Sequence, residues 1–130
     1  MLNKVLLIGR LGANPEIRYT SDEKPVANFT VATNESYTSK NGEKVTQTEW
    51  HKVVVFGKLA EIVGEYCTKG SKVYVEGRLR THSWEDNEGN KRWTTEIIAQ
   101  NLFILDNKAK TEKTSDKETE ENIDEEDIPF

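Results

Sequence analysis

Between Lys72 and Trp84 the chain alternates with period two, Val73, Val75, Gly77 and Leu79 on one parity and Tyr74, Glu76, Arg78, Arg80, His82 and Trp84 on the other. Side chains of an extended strand point to opposite faces in turn, so this pattern predicts a strand with Val73 to Leu79 in a core and the other set facing out. The same period governs Thr48 to Gly57, where Trp50, Lys52, Val54 and Phe56 share one face and His51, Val53 and Val55 the other. Two half-buried strands do not make a stable unit in water, so more strands must complete the sheet.

Three further runs supply them. Lys4 to Leu11 is rich in Val, Leu and Ile, Val26 to Tyr37 in Val, Thr and Phe, and Arg92 to Leu105 closes the series. Gly12-Ala13-Asn14-Pro15, Lys40-Asn41-Gly42 and Asn87-Glu88-Gly89-Asn90 are the turn signals between them, since Asn-Gly and similar pairs take positive φ readily. Only one segment changes period. Leu59, Ile62, Val63 and Tyr66 fall at i, i+3, i+4 and i+7, one apolar stripe of a short helix that Lys69-Gly70 ends. Three strands, a helix and two strands in about 105 residues is the order of an all-β OB-fold, a five-stranded partly open barrel with one short helix between strands 3 and 4.

Charge divides the chain in two. Residues 1–106 carry 14 Lys and Arg against 14 Asp and Glu, whereas residues 107–130 carry 4 against 9, so the whole formal charge of −5 lies in the tail. The tail holds almost no apolar side chains except Ala109, Ile123, Ile128 and Phe130. It cannot bury enough surface to offset its conformational entropy and is expected to be a disordered acidic segment. The expected units are therefore a folded domain over 1–106 and a tail over 107–130. Apolar runs such as Val5 to Ile8 and Val53 to Phe56 are far short of a membrane span or a signal-peptide core. A lone Cys67 has no disulfide partner in the chain and fits a reducing, cytoplasmic setting.

Trp50, Lys52 and Phe56 alternate ring, cation and ring on one strand face, and Arg78, Arg80 and Trp84 repeat the pattern on the next strand. The opposite faces already supply core valines, which leaves these rings for another use. Bases of a single-stranded nucleic acid stack on aromatic planes while interleaved Lys and Arg neutralise phosphates; packing in the barrel or at a subunit contact is the alternative. Catalysis has little to build on. The two histidines, His51 and His82, have no recognisable partners, Gly9 and Gly12 read as turn glycines without a phosphate-binding pattern, and Cys67 reads as a small buried hydrophobe. The run Asp124 to Asp127 is not a preorganised cation site. No enzyme activity, cofactor or metal is expected.

Asn3-Lys4-Val5, Pro15-Glu16-Ile17-Arg18-Tyr19, Val26-Ala27-Asn28-Phe29-Thr30, Thr48-Glu49-Trp50-His51, Phe56-Gly57-Lys58-Leu59-Ala60, Tyr74-Val75-Glu76-Gly77 and the ending Asp127-Ile128-Pro129-Phe130 together resemble the bacterial single-stranded DNA-binding protein family. The resemblance runs in order over residues 1–106 and resumes at the last few. It implies a homotetramer of OB-folds that binds single-stranded DNA without sequence preference. It also implies cytoplasmic, nucleoid-associated work in replication, recombination and repair, with an acidic tip that recruits proteins of those processes. Carried over by position, the stacking rings are Tyr37, Trp50, Phe56 and Trp84, with tyrosine at 37 where many relatives have tryptophan. The phosphate contacts are Lys4, Lys52, Lys58, Lys69, Arg80 and Arg92; His82 stands where a basic residue is common. His51 and Tyr74 match subunit contacts, and the partner-binding tip is Asp127, Ile128, Pro129 and Phe130. At the tip, a ring and a terminal carboxylate together suit an apolar pocket rimmed by Lys or Arg. Trp93 is left open between a further stacking ring and a packed one. The segment 107–117 is short and rich in Lys and Thr where many relatives have a long Gly-, Gln- and Pro-rich linker. An RNA-binding or protein-interaction module on the same barrel is the alternative reading, because RNA offers the same rings and phosphates.

Overall fold

A computed structural model of the chain describes residues 1–106. The elements run β1 (Val5–Leu11), β2 (Glu16–Tyr19), β3 (Pro25–Thr38), β4 (Lys44–Phe56), α1 (Lys58–Tyr66), β5 (Lys72–Glu85) and β6 (Lys91–Ile104). Their neighbour order is β1-β5-β6-β4-β3-β2, and β1 also pairs with β3, so five strands close into a ring and β2 hangs on β3 outside it. That is the OB barrel expected from the element order. The short β2 is the one strand the sequence reading passes over: only Ile17 among its four residues is even partly buried, too little pattern for period two to register.

Two junctions close the ring, both short. β1 meets β3 through Arg10↔Ala32 and Leu11↔Val31, and β4 meets β6 in parallel through Val53↔Ile97 and Val54↔Ile98. Gly9 lies inside β1, not in the turn after it, because any Cβ there would collide with the carbonyl oxygen of Ala32 as β3 crosses. The core fills the ring with Leu11, Ala27, Phe29, Val31, Val53, Val55, Val73, Val75, Ile97, Ala99 and Leu102. Ala99 and Leu102 can both point inward because the β5–β6 register skips Gln100, pairing Gly77 with Ala99 and Glu76 with Asn101. An extra residue on one strand shifts its alternation by one.

Helix α1 plugs the barrel, but through a line other than the expected Leu59, Ile62, Val63 and Tyr66. Ala60, Val63 and Cys67 are the fully buried positions, and Tyr66 is 63% exposed. Burial pushes the Cys67 thiol up to about 11, so it is the small core hydrophobe expected. Two face assignments also change. Val54, on the outward parity, is buried beside its partner Ile98 at the β4–β6 junction, and Leu79, on the inward parity, is 48% exposed. From Arg78 onward every residue of β5 is exposed, because the β5–β6 ribbon runs past the end of the barrel. Alternation names a face; it does not say where the core stops.

Candidate nucleic-acid interface

The outward faces of β3, β4, β6 and β5 form one surface, since those strands are consecutive neighbours. The register sets Thr30 beside Lys52 and Ala32 beside Trp50, and across the junction Arg80 beside Glu96 and Trp84 beside Arg92. Trp50 is 60% exposed, Phe56 48% and Trp84 46%, so none of these rings is spent on the core. Two of them are held in place. The Trp50 indole lies over Gly12, where a Cβ would come within 2.5 Å of its Cζ3 and 3.0 Å of Thr30 Oγ1. The Gly12 amide in turn donates to the Thr30 carbonyl at 3.1 Å. Trp84 donates from Nε1 to Thr94 Oγ1 at 2.8 Å. Rings fixed by their neighbours lose little freedom when a base stacks on them.

The cations singled out from sequence fall into two groups. Within the described residues Lys52, Lys58 and Lys69 have no ion-pair partner, whereas Lys4, Arg80 and Arg92 do. Arg80 donates to Glu96 Oε2 at 2.6 Å, and His82 Nε2 stands 3.4 Å from the same oxygen. Arg92 binds Asp86 at 3.0 Å as part of the hairpin tip. The Asn90 amide, then the Arg92 guanidinium and the Glu88 amide, hold the Asp86 carboxyl below the usual carboxylate range. The Lys4 ammonium lies 2.5 Å from Glu76; the bond between them raises the lysine pKa and lowers that of the glutamate. A cation paired with a carboxylate has part of its charge compensated before any phosphate arrives.

Two clefts of about 310 and 290 Å3 open on this surface, and Lys52 and Glu96 line both. The first also takes in Asn14, Asn28 and Thr30, the second Trp50 and Trp93. Gly12, Thr30, Thr94 and Glu96 thus belong to the site although the sequence reading does not single them out as binding residues. They carry neither an aromatic nor a free positive charge, and only pairing register brings them there.

Not every residue singled out from sequence stands on this face. β3 and β4 pair without a break from Val26↔Phe56 to Thr38↔Lys44, so strict alternation puts Tyr37 on the opposite face of the ribbon from Trp50. His51 shares the Tyr37 parity, and its Nε2 makes a 2.9 Å hydrogen bond with Thr33 Oγ1. Lys4 and Tyr74 belong to a separate outward patch on β1, β5 and β6. There Tyr74 stacks on Phe103 with ring centres 5.9 Å apart, and Ile8 pairs with Tyr74. Leu6 is 58%, Ile8 43% and Phe103 59% exposed, so apolar side chains of three neighbouring strands share one outward face. Asp127, Ile128, Pro129 and Phe130 lie outside the described residues. Among the described residues no group of three or more His, Cys, Asp or Glu side chains is placed to hold a metal, and no helix is long and apolar enough to cross a membrane.

The chain is similar to known proteins. The profile of the "Single-strand binding protein family" matches residues 2–105. The chain is 53% identical over 113 residues to "Single-stranded DNA-binding protein 1" of Xylella fastidiosa (strain 9a5c), covering 86% of this chain and 83% of that protein. Among solved structures it is similar to "Plasmodium falciparum SSB complex with ssDNA", with a TM-score of 0.76 and 38% identity over 82% of this chain and 97% of the other.

Proposed function

Because this chain belongs to the single-strand binding protein family, we propose that it binds single-stranded DNA on the β3-β4-β6-β5 face. It does so without sequence preference, protecting the strand during replication, recombination and repair. The observation that carries this reading is the exposed ring, cation and ring of Trp50, Lys52 and Phe56, with Trp84 fixed on the same surface. Bases stack on the rings, whichever base each is, and phosphates meet Lys52, Lys58 and Lys69 first, then Arg80 and Arg92 once these leave Glu96 and Asp86. Tyr37 serves as a stacking ring where the strand passes round the β3–β4 ribbon to its other face. Competition between oligo-dT and oligo-U at one salt concentration tests the substrate. Preference for oligo-dT supports DNA, and a clear preference for oligo-U would replace it with RNA. The protein acts by binding and belongs to a family without catalytic activity.

The Leu6, Ile8, Tyr74 and Phe103 face is proposed to be covered by further copies of the chain, giving a homotetramer, with Lys4 and Glu76 paired at its margin and His51 at a second contact. Closed symmetry is the usual way a homo-oligomer buries such a face. The tail is proposed to recruit replication, recombination and repair proteins through Ile128, Pro129 and Phe130. These are apolar residues beside the acidic run Asp124 to Asp127, which would speed encounter with a basic partner surface. Changing Phe130 to Ala should leave oligo-dT affinity and assembly unchanged but lose capture of such proteins; equal capture would return the tail to a solubilising role. The cytoplasm, in association with the nucleoid, is the setting these activities require.

A further inference from the structure

Trp93 is 65% exposed, more than either Trp50 or Trp84, yet the outward face does not account for it. The register pairs Ser83 with Trp93 and Trp84 with Arg92, so the two indoles project from opposite faces of the β5–β6 ribbon. Trp93 has no place in the core either. What it does face is a gap between strands. β4 and β6 pair only at Val53↔Ile97 and Val54↔Ile98; before that point they part, leaving the cleft of about 290 Å3 with Trp50 and Lys52 on one bank, Trp93, Thr94 and Glu96 on the other, and Leu79 between. Each strand spends its outer edge on another neighbour, β4 on β3 and β6 on β5. The edges that look into the cleft over 50–51 and 93–95 therefore present backbone N–H and C=O groups with no β4–β6 pairing among the described residues.

That combination has a chemical counterpart. An aromatic wall, a neighbouring cation and a row of unpaired amide donors and acceptors suit a flat heteroaromatic ring with a polar rim, where the face stacks and the edge hydrogen-bonds. An aliphatic side chain would leave the amides unsatisfied. We propose that Trp93 is a further base-stacking residue, and that one nucleobase of the bound strand leaves the outward face beside Trp50 and inserts into the β4–β6 cleft against it. This rests on the single-stranded DNA reading above and gives it a depth that a purely superficial binding face lacks. Backbone amides can serve several base edges, so the insertion adds affinity with little sequence preference.

The test uses the full chain. In the double variant Trp50→Phe, Trp84→Phe, stacking rings remain and Trp93 is the sole indole; its fluorescence should be quenched as oligo-dT is added. Separately, Trp93→Ala should weaken oligo-dT binding by roughly 5- to 150-fold, Trp93→Phe should restore part of the loss, and an abasic oligomer of equal length should bind parent and Trp93→Ala alike. If wild-type emission is quenched but Trp93 alone is silent, and Trp93→Ala binds like wild type, the insertion is wrong while the binding face stands. If Trp93→Ala instead lowers the assembled mass measured by light scattering, Trp93 is a subunit contact and the proposal is overturned. Absence of oligo-dT binding by the wild type would remove both readings together.

Discussion

The indole of Trp50 occupies the space that a side chain on residue 12 would need, with Cζ3 only 2.5 Å from where a Gly12 Cβ would stand. One of the two indoles of the binding face is therefore oriented by a residue with no side chain. Gly12→Ala should displace the ring and weaken oligo-dT binding by a part of the roughly 1 to 3 kcal/mol expected for Trp50→Ala. In the Trp50→Ala background the same change should cost nothing more, since the two act through one contact. Isothermal titration of the four proteins closes the cycle, and additive losses would separate Gly12 from Trp50.

Glu96 sits between the two clefts and holds Arg80 at 2.6 Å. Replacing it with Gln removes a negative charge from the path of the phosphates and releases a cation. Affinity for oligo-dT should rise by an amount on the order of 1 kcal/mol, the Coulomb scale for close charges in water. Lys52→Ala should instead lower the slope of log affinity against log salt by about 0.7, one phosphate contact on a single strand. An unchanged slope would take Lys52 off the phosphate path.

The stacked pair Tyr74 and Phe103 marks the proposed assembly face. Phe103 is 59% exposed, so Phe103→Glu should leave the barrel folded while placing a charge in a contact that needs apolar surface. Light scattering of the wild type should give about four times the 14.9 kDa chain, and the variant should fall to smaller species. A wild-type monomer would contradict the assembly.

Period two in β4 and β5 made the barrel legible, along with the rings on its outward face, because alternation and turn residues are local signals. What stayed hidden was set by pairing between distant segments. Leu79 continues the inward parity of Val75 but lies past the barrel's end, and Val54 is buried by Ile98, a residue 44 positions away that no local pattern links to it. Gly9 read as a turn because its reason, the approach of Ala32, lies on another strand. Arg80 looked like a free cation for the same cause: Glu96 reaches it only through the β5–β6 register.

The hairpin tip offers a pH test. Asp86 has its folded pKa below the ordinary 3.8, chiefly through the Asn90 amide. A depressed carboxylate contributes stability that is present in full above its unfolded pKa and is lost as pH falls through the folded one. The amide resonances of Glu88 and Asn90, which donate to Asp86 Oδ1 at 3.0 and 2.9 Å, should therefore shift together as the pH falls, with a common midpoint below 3.8. In Asp86→Asn that acid transition should vanish. A midpoint at or above the ordinary value would mean the tip does not hold the carboxylate in solution.

The proposed binding mode has the exposed indoles of the outward sheet face stacking with bases of single-stranded DNA. Titrating the full chain with oligo-dT while following tryptophan emission tests it most directly, with Trp50→Ala and Trp84→Ala as paired variants of unchanged melting temperature. Strong quenching that saturates is expected, together with a loss of roughly 1 to 3 kcal/mol of affinity in each variant. Binding without quenching, or variants that bind as tightly as the wild type, would contradict it.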